Sequence, residues 1–169
     1  MLAEDMLAEQ AMPWTAARRL VWNDFRGKPP SGGPEGARTA YGLYYAWFCR
    51  GETFGFRVTA ALHPHRSWVK SIVVSSPHEN PRVLQHEQTH FDLTEVFARR
   101  MRQRFDTLTG ACAKPDGALK AMAQRLVDEE KAMQQRYDRE TKHGLIADKQ
   151  AAWSADAARM LAASRRYAQ

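Results

Sequence analysis

The chain has 169 residues, 44% of them hydrophobic and 26% charged, an ordinary globular composition with room for a single core over residues 1–169. Its net charge is +6 and its pI about 9.6, yet no aromatic-interleaved RNA motif or finger spacing accompanies that charge. No apolar run approaches the ~20 residues of a membrane span.

Met1-Leu-Ala-Glu-Asp carries neither a basic region nor a long apolar stretch, so no signal peptide is read there. Residues 2–12 have helical composition with weak anchoring, and residues 1–19 read as a loosely held arm. Leu20-Val-Trp-Asn-Asp-Phe alternates apolar and polar, the pattern of a short strand or a docking segment. Residues 26–37 hold four Gly and three Pro and form a loop. Two β-rich runs follow, Thr39 to Cys49 and Phe54 to Leu62, separated by Arg50-Gly51-Glu52, which predicts a hairpin. Trp68 to Val74 offers a third strand before a loop at Ser75 to Asn80.

From Pro81 the chain turns helical. Asn80 is placed to cap, Pro81 suits a first turn, and neither Pro nor Gly recurs before about Phe105. A second helix is predicted from about Gly117 to His143, with Gly144 as the left-handed residue beyond it. A third covers about Asp148 to Arg166, with Trp153, Ala157, Met160 and Leu161 as its buried stripe. The expected fold is α+β, a small antiparallel sheet in the N-terminal half packed on three longer helices. The arginines at 18–19, 99–104 and 165–166 read as wet helix faces. Cys49 and Cys112 stand too far apart for a CxxC pair, and either a disulfide or two buried thiols suits them.

The first helix carries His86-Glu87-Gln88-Thr89-His90. Histidines four apart on a helix leave the same face, the spacing that two ligands of one tetrahedral zinc require. Glu87 between them is placed to take a proton from water. Composition alone yields this pattern in roughly one chain in a hundred of this length, so the helical context matters. With His86 at zero, Leu93, Phe97 and Met101 fall at about −20°, +20° and +60°. The histidines therefore share the inward face, where a site needs its ligands held dry. Two hydrogen-bonded core histidines are the bland alternative.

A catalytic zinc keeps three protein ligands and one open position. His63, His65 and His78 lie in loops before the helix and would have to fold back. The other candidate is His143, at a helix end beside Gly144, with Tyr137 and Asp138 one to two turns upstream. A phenol such as Tyr137 can donate to an oxyanion, and a carboxylate such as Asp138 can orient a ligand imidazole from behind. Glu140 is the next choice of ligand.

Several blocks together resemble a family of bacterial proteins described as predicted secreted zinc-dependent proteases. They are residues 20–27, Ser67-Trp68-Val69, His86 to Asp92 with Glu95, and Tyr137 to Gly144 followed by Gln150 and Trp153. The resemblance implies a zincin-like fold, a Zn2+ cofactor and His143 as third ligand. It also implies a periplasmic or secreted location, whereas the chain's first residues fit a cytoplasmic one.

The leading expectation is a zinc-dependent peptidase in which His86, His90 and His143 hold the metal. Glu87 serves as general base, Tyr137 as oxyanion donor and Asp138 as support, with a peptide or protein as substrate. A non-catalytic scaffold domain would close the site with a fourth protein ligand such as Asp138 or Glu140. A basic helical nucleic-acid binder would carry the motif by accident and bind with steep salt dependence.

Overall fold

The computed structural model of the protein describes residues 5, 6 and 8–169; residues 1–4 and 7, part of the expected arm, lie outside the described residues. Five strands come first: β1 (Met12–Pro13), β2 (Ala37–Arg38), β3 (Tyr41–Arg50), β4 (Thr53–Leu62) and β5 (Trp68–Val69). The helices follow: α1 (Ser71–Ser75), α2 (Glu79–Asp106), α3 (Asp116–Thr141) and α4 (Ala147–Ala163). The architecture is α+β, with a short helix and three long ones among the described residues. None of them is long and apolar enough to cross a membrane.

The hairpin forms as its pattern predicts. β3 and β4 pair antiparallel from Tyr41 opposite Leu62 to Arg50 opposite Thr53, and Gly51 at φ +57° opens the turn. Alternate residues of β4 then face α2, where Val58 and Ala60 pack against Ala98, Met101 and Phe105. β1 adds to the far edge of β4, and the sheet order is β1-β4-β3. Beyond it, Trp14 donates through its ring nitrogen to Asp92 on α2 at 2.8 Å, and Leu20 N–H to Gln88 at 2.7 Å. The described part of the arm from Met12 onward is thus hydrogen-bonded to the body of the domain.

One open reading is decided and two change. Residues 20–25 are a docking segment: Trp22–Asp24 forms a 3-10 turn, with Leu20 and Phe25 packed against Leu62 and Phe91. The third strand is only Trp68–Val69, and it pairs with β2 in a separate two-stranded sheet. That partner lies on the far side of the β3–β4 hairpin in sequence, a pairing that no local pattern encodes. Ser76, not Asn80, supports the start of α2, its Oγ accepting Glu79 N–H at 3.1 Å. Asn80 instead accepts the Trp22 ring N–H at 2.9 Å and donates to the Val74 carbonyl at 2.7 Å.

α2 is the central helix, covered by the sheet on one side and by α3 and α4 on the other. Leu93 meets Tyr137, Trp153 and Ala157 on that second side. Burial extends even to arginine. Glu95 receives Arg99 and Arg102 at 2.9 Å each, and both guanidinium groups also donate to carbonyls of the C-terminal segment, Leu161 and Tyr167, at 2.7 Å. These two arginines are therefore paired interior charges rather than wet ones, because a buried charge persists only with such partners. Cys49 and Cys112 form a disulfide, Cα–Cα 5.7 Å, fastening the end of β3 to the loop between α2 and α3.

Candidate functional site

His86 and His90 lie one turn apart on α2, both buried, with their Nε2 atoms 3.2 Å from each other. Asp138, near the end of α3, places Oδ1 at 3.1 Å from His86 Nε2 and 3.0 Å from His90 Nε2. The other face of each ring is committed. His86 Nδ1 lies 3.0 Å from Gln150 Oε1, and His90 Nδ1 lies 2.7 Å from Gln134 Oε1. Gln134 cannot be turned round, since its amide nitrogen donates to the His90 carbonyl at 2.9 Å and to Glu130 at 2.8 Å.

An amide oxygen only accepts, so both Nδ1 atoms carry hydrogen, and each ring turns Nε2 toward Asp138, as a lone pair when neutral and as a donor when protonated. Three electron-rich atoms thus converge within 3.2 Å. Such a cluster repels itself unless protons or a cation stand among them. The separations approach the edge of a coordination tetrahedron with bonds of about 2.0–2.1 Å. Two imidazoles and a carboxylate are also a donor set that suits zinc. Protons can take that place. Burial works against ionised Asp138, yet its hydrogen bonds to His86 and His90 hold the carboxyl well below the usual range. Burial likewise opposes charge on His90, but Asp138 and Glu87 outweigh it and lift the imidazole above its ordinary value.

Glu87 is buried beside the cluster. Its Oε2 accepts the backbone N–H of Thr39 at 2.9 Å and the Thr39 hydroxyl at 2.5 Å, which ties α2 to the segment after β2. Tyr137 lies behind the cluster. It is 0% exposed, its ring stacks on His86 at 4.7 Å, and its hydroxyl donates to Gln150 Oε1 at 2.7 Å. Burial raises the phenol far above its ordinary pKa, so it stays protonated.

His143 stands at the edge. Its side chain is 68% exposed, with Nδ1 3.5 Å from Asp138 Oδ1, and it falls outside the group formed by His86, His90 and Asp138. Relative to the sequence reading, Asp138 occupies the inner place and His143 the outer one. α3 ends at Thr141, and Lys142, His143 and Gly144 all adopt positive φ, at 48°, 53° and 78°. Two consecutive non-glycine residues in that region are unfavourable, and such strain concentrates at functional sites. Gly144 is required by a close approach as well: a Cβ there would sit 3.1 Å from His86 Cβ. Glu140 is turned away, bonded to Arg136 and to the Trp153 ring N–H. His63, His65 and His78 do not join the group.

His86, Glu87, His90, Asp138 and His143 all open onto one cleft of about 1250 Å³, whose wall includes residues 34–41. Sequence reasoning missed Thr39, which no motif marks, and gave no role to Gln134 and Gln150. A signal for Gln134 exists. Glu130, Gln134, Tyr137 and Thr141 recur at helical spacing and are all buried on α3. A polar stripe on an inward helix face must have partners to satisfy.

Fold and site together define an α+β domain with a candidate metal centre at the junction of its two longest helices. Residues 80–144 match the sequence profile of a family described as "Bacterial protein of unknown function (DUF922)". That span runs from the start of α2 through the turn at Gly144, so it contains every member of the cluster. No curated protein and no solved structure matches the chain.

Proposed function

We propose that the protein is a zinc-dependent peptidase whose metal is held by His86, His90 and Asp138. The observation that carries this reading is the convergence of three lone-pair donors, with tautomers fixed from behind, beside a carboxylate and on an open cleft. Zinc bound there would polarise a carbonyl and lower the pKa of water in the cleft. Glu87 would be the group to take a proton from water in the cleft and pass it to the leaving amine. Thr39 orients the Glu87 carboxylate through two hydrogen bonds. Gln134, Gln150 and Tyr137 hold the two imidazoles, so the phenol is a positioning group and not an oxyanion donor. His143, at the mouth of the cleft, is within reach of a substrate carbonyl.

The alternative of a closed, purely structural site is disfavoured because the cluster opens onto a large cleft and its fourth side is not filled by a protein ligand among the described residues. The Cys49–Cys112 disulfide supports an oxidising compartment such as the periplasm or the exterior. The deciding experiment pairs metal analysis with turnover. One zinc per chain is expected, and Glu87→Gln should keep it while lowering peptide hydrolysis by roughly 10²–10⁴-fold. A Glu87→Gln protein as active as the parent, or a parent that takes up no zinc, overturns the reading.

A further inference from the structure

Two phenols approach the cluster, and only one is committed. Tyr137 spends its hydroxyl on the His86 carbonyl and on Gln150. Tyr41 opens β3 and lines the cleft, with its ring stacked on His90 at 5.9 Å and the two planes 20° apart. The same ring packs against the group of Leu62 and Phe91, which holds it in place. Its hydroxyl has no hydrogen-bond partner among the described residues, yet it is not one of the polar atoms shut off from water. That oxygen therefore keeps accessible surface on a residue of the cleft wall. Burial, then the carboxylates of Glu130, Asp138 and Glu87, hold the phenol far above its ordinary pKa. Those three carboxylates lie around the two imidazoles, which puts the hydroxyl on the cluster's side.

An unpaired donor on a cleft beside a general base has a defined use. When water adds to a peptide carbonyl with Glu87 as base, the new C–O bond drives the carbonyl π pair onto its oxygen, and the proton goes to Glu87. That oxygen then carries charge in a sheltered place, where a fixed O–H donor stabilises it more than it does the neutral carbonyl. Thr39, two residues before Tyr41, holds the Glu87 carboxylate, so one short segment places both base and donor. His143 is mostly exposed and meets the substrate from outside. We propose that Tyr41 is a catalytic residue, the hydrogen-bond donor to the carbonyl oxygen of the scissile bond as that oxygen becomes negative. Tyr41 keeps its proton throughout. Glu87 delivers its own to the amine as the C–N bond breaks and the bonding pair passes to nitrogen. This inference rests on the peptidase reading and supplies the donor that Tyr137 does not.

The test reads binding apart from turnover. Tyr41→Phe keeps the ring against His90 and Leu62 and removes only the hydroxyl. A set of phosphinate pseudotetrapeptides with varied side chains, whose tetrahedral anion stands in for the hydrated carbonyl, is titrated by calorimetry into zinc-loaded parent protein, and the tightest binder is taken forward. Tyr41→Phe should weaken that binder at least about tenfold. On fluorescein-labelled casein it should lower kcat by roughly 10²-fold with KM within about threefold. Zinc affinity, read by chelator competition, should stay within about twofold. Should Tyr41→Phe not fold, Tyr41→Leu decides by the same readings, since it too lacks the donor. A parent that binds none of the phosphinates, or a variant that binds them as tightly as the parent, overturns the proposal. Zinc affinity that falls in step with phosphinate binding also overturns it, because Tyr41 would then act only by supporting His90. A parent that cleaves casein and loses none of that activity in Tyr41→Phe overturns it while leaving the peptidase reading intact. Tyr41-dependent phosphinate binding by a parent that cleaves nothing would instead defeat the peptidase reading and leave the donor standing.

Discussion

Gln134 holds His90 from two sides: its carbonyl oxygen lies 2.7 Å from the ring Nδ1 and its amide nitrogen donates to the His90 backbone carbonyl at 2.9 Å. One side chain therefore sets both the tautomer and the orientation of the imidazole. Partners of this kind typically contribute 10–100-fold to metal affinity. Gln134→Ala should weaken zinc binding by about that factor, measured by competition with a chromophoric chelator. Unchanged affinity would show that His90 needs no such support.

Asp138 and His143 should part company in the same assay. Asp138→Ala removes an atom 3.0 Å from His90 Nε2 and 3.1 Å from His86 Nε2. Its loss should exceed the roughly 100-fold upper range for a supporting residue. His143→Ala should leave one zinc per chain and reduce turnover instead. If the His143 variant loses its zinc while the Asp138 variant keeps it, the ligand assignment is reversed.

The motif helix was legible because the evidence for it is local: spacing, an uninterrupted run free of Gly and Pro, and an apolar face at a fixed angle. The hairpin was legible for the same reason. The membership of the cluster was less so. Asp138 and His143 are five residues apart and differ in reach only because α3 stops at Thr141 and three left-handed residues then carry the chain outward. Sequence marks Gly144 as a stop, but not that Lys142 and His143 share its conformation. The pairing of β2 with β5 and the Thr39–Glu87 bonds were hidden because each joins segments whose contact depends on the path of a loop.

Asp92, two residues beyond His90 and bonded to Trp14 and Gln88, supplies a pH test. Burial lifts its carboxyl above the ordinary range, against the hydrogen bonds from Trp14 and Gln88. The folded state therefore holds this proton to higher pH than the unfolded chain does. Its stabilising contribution is full below the unfolded value near 3.9 and is lost as pH rises through the folded one. Asp92→Asn keeps an oxygen for both donors and abolishes the titration. Denaturant melts should show the variant gaining on the parent as pH rises above about 4; a constant difference would contradict the shift.

Removing the disulfide tests the other end of the helix pair. The bond spans 63 residues of sequence, and the chain-entropy estimate for such a loop is about 4 kcal/mol. The double variant Cys49→Ser, Cys112→Ser should lose about 2–4 kcal/mol in urea melts, and dithiothreitol should reproduce that loss in the parent. No loss in either would mean that the unfolded chain is not constrained by this bond.

α2 and α3 run back from a shared loop, and Cys112 sits in that loop while Asp138 lies near the far end of α3. The helix pair is thus fastened twice, at opposite ends and by unlike chemistries. One fastening is a covalent bond that a reducing medium dissolves. The other is a knot of lone pairs that lies open until protons or an ion close it. A chain built this way takes its rigidity from its surroundings as much as from its own core, and the same domain would be a looser object wherever thiols are kept reduced and metal is scarce.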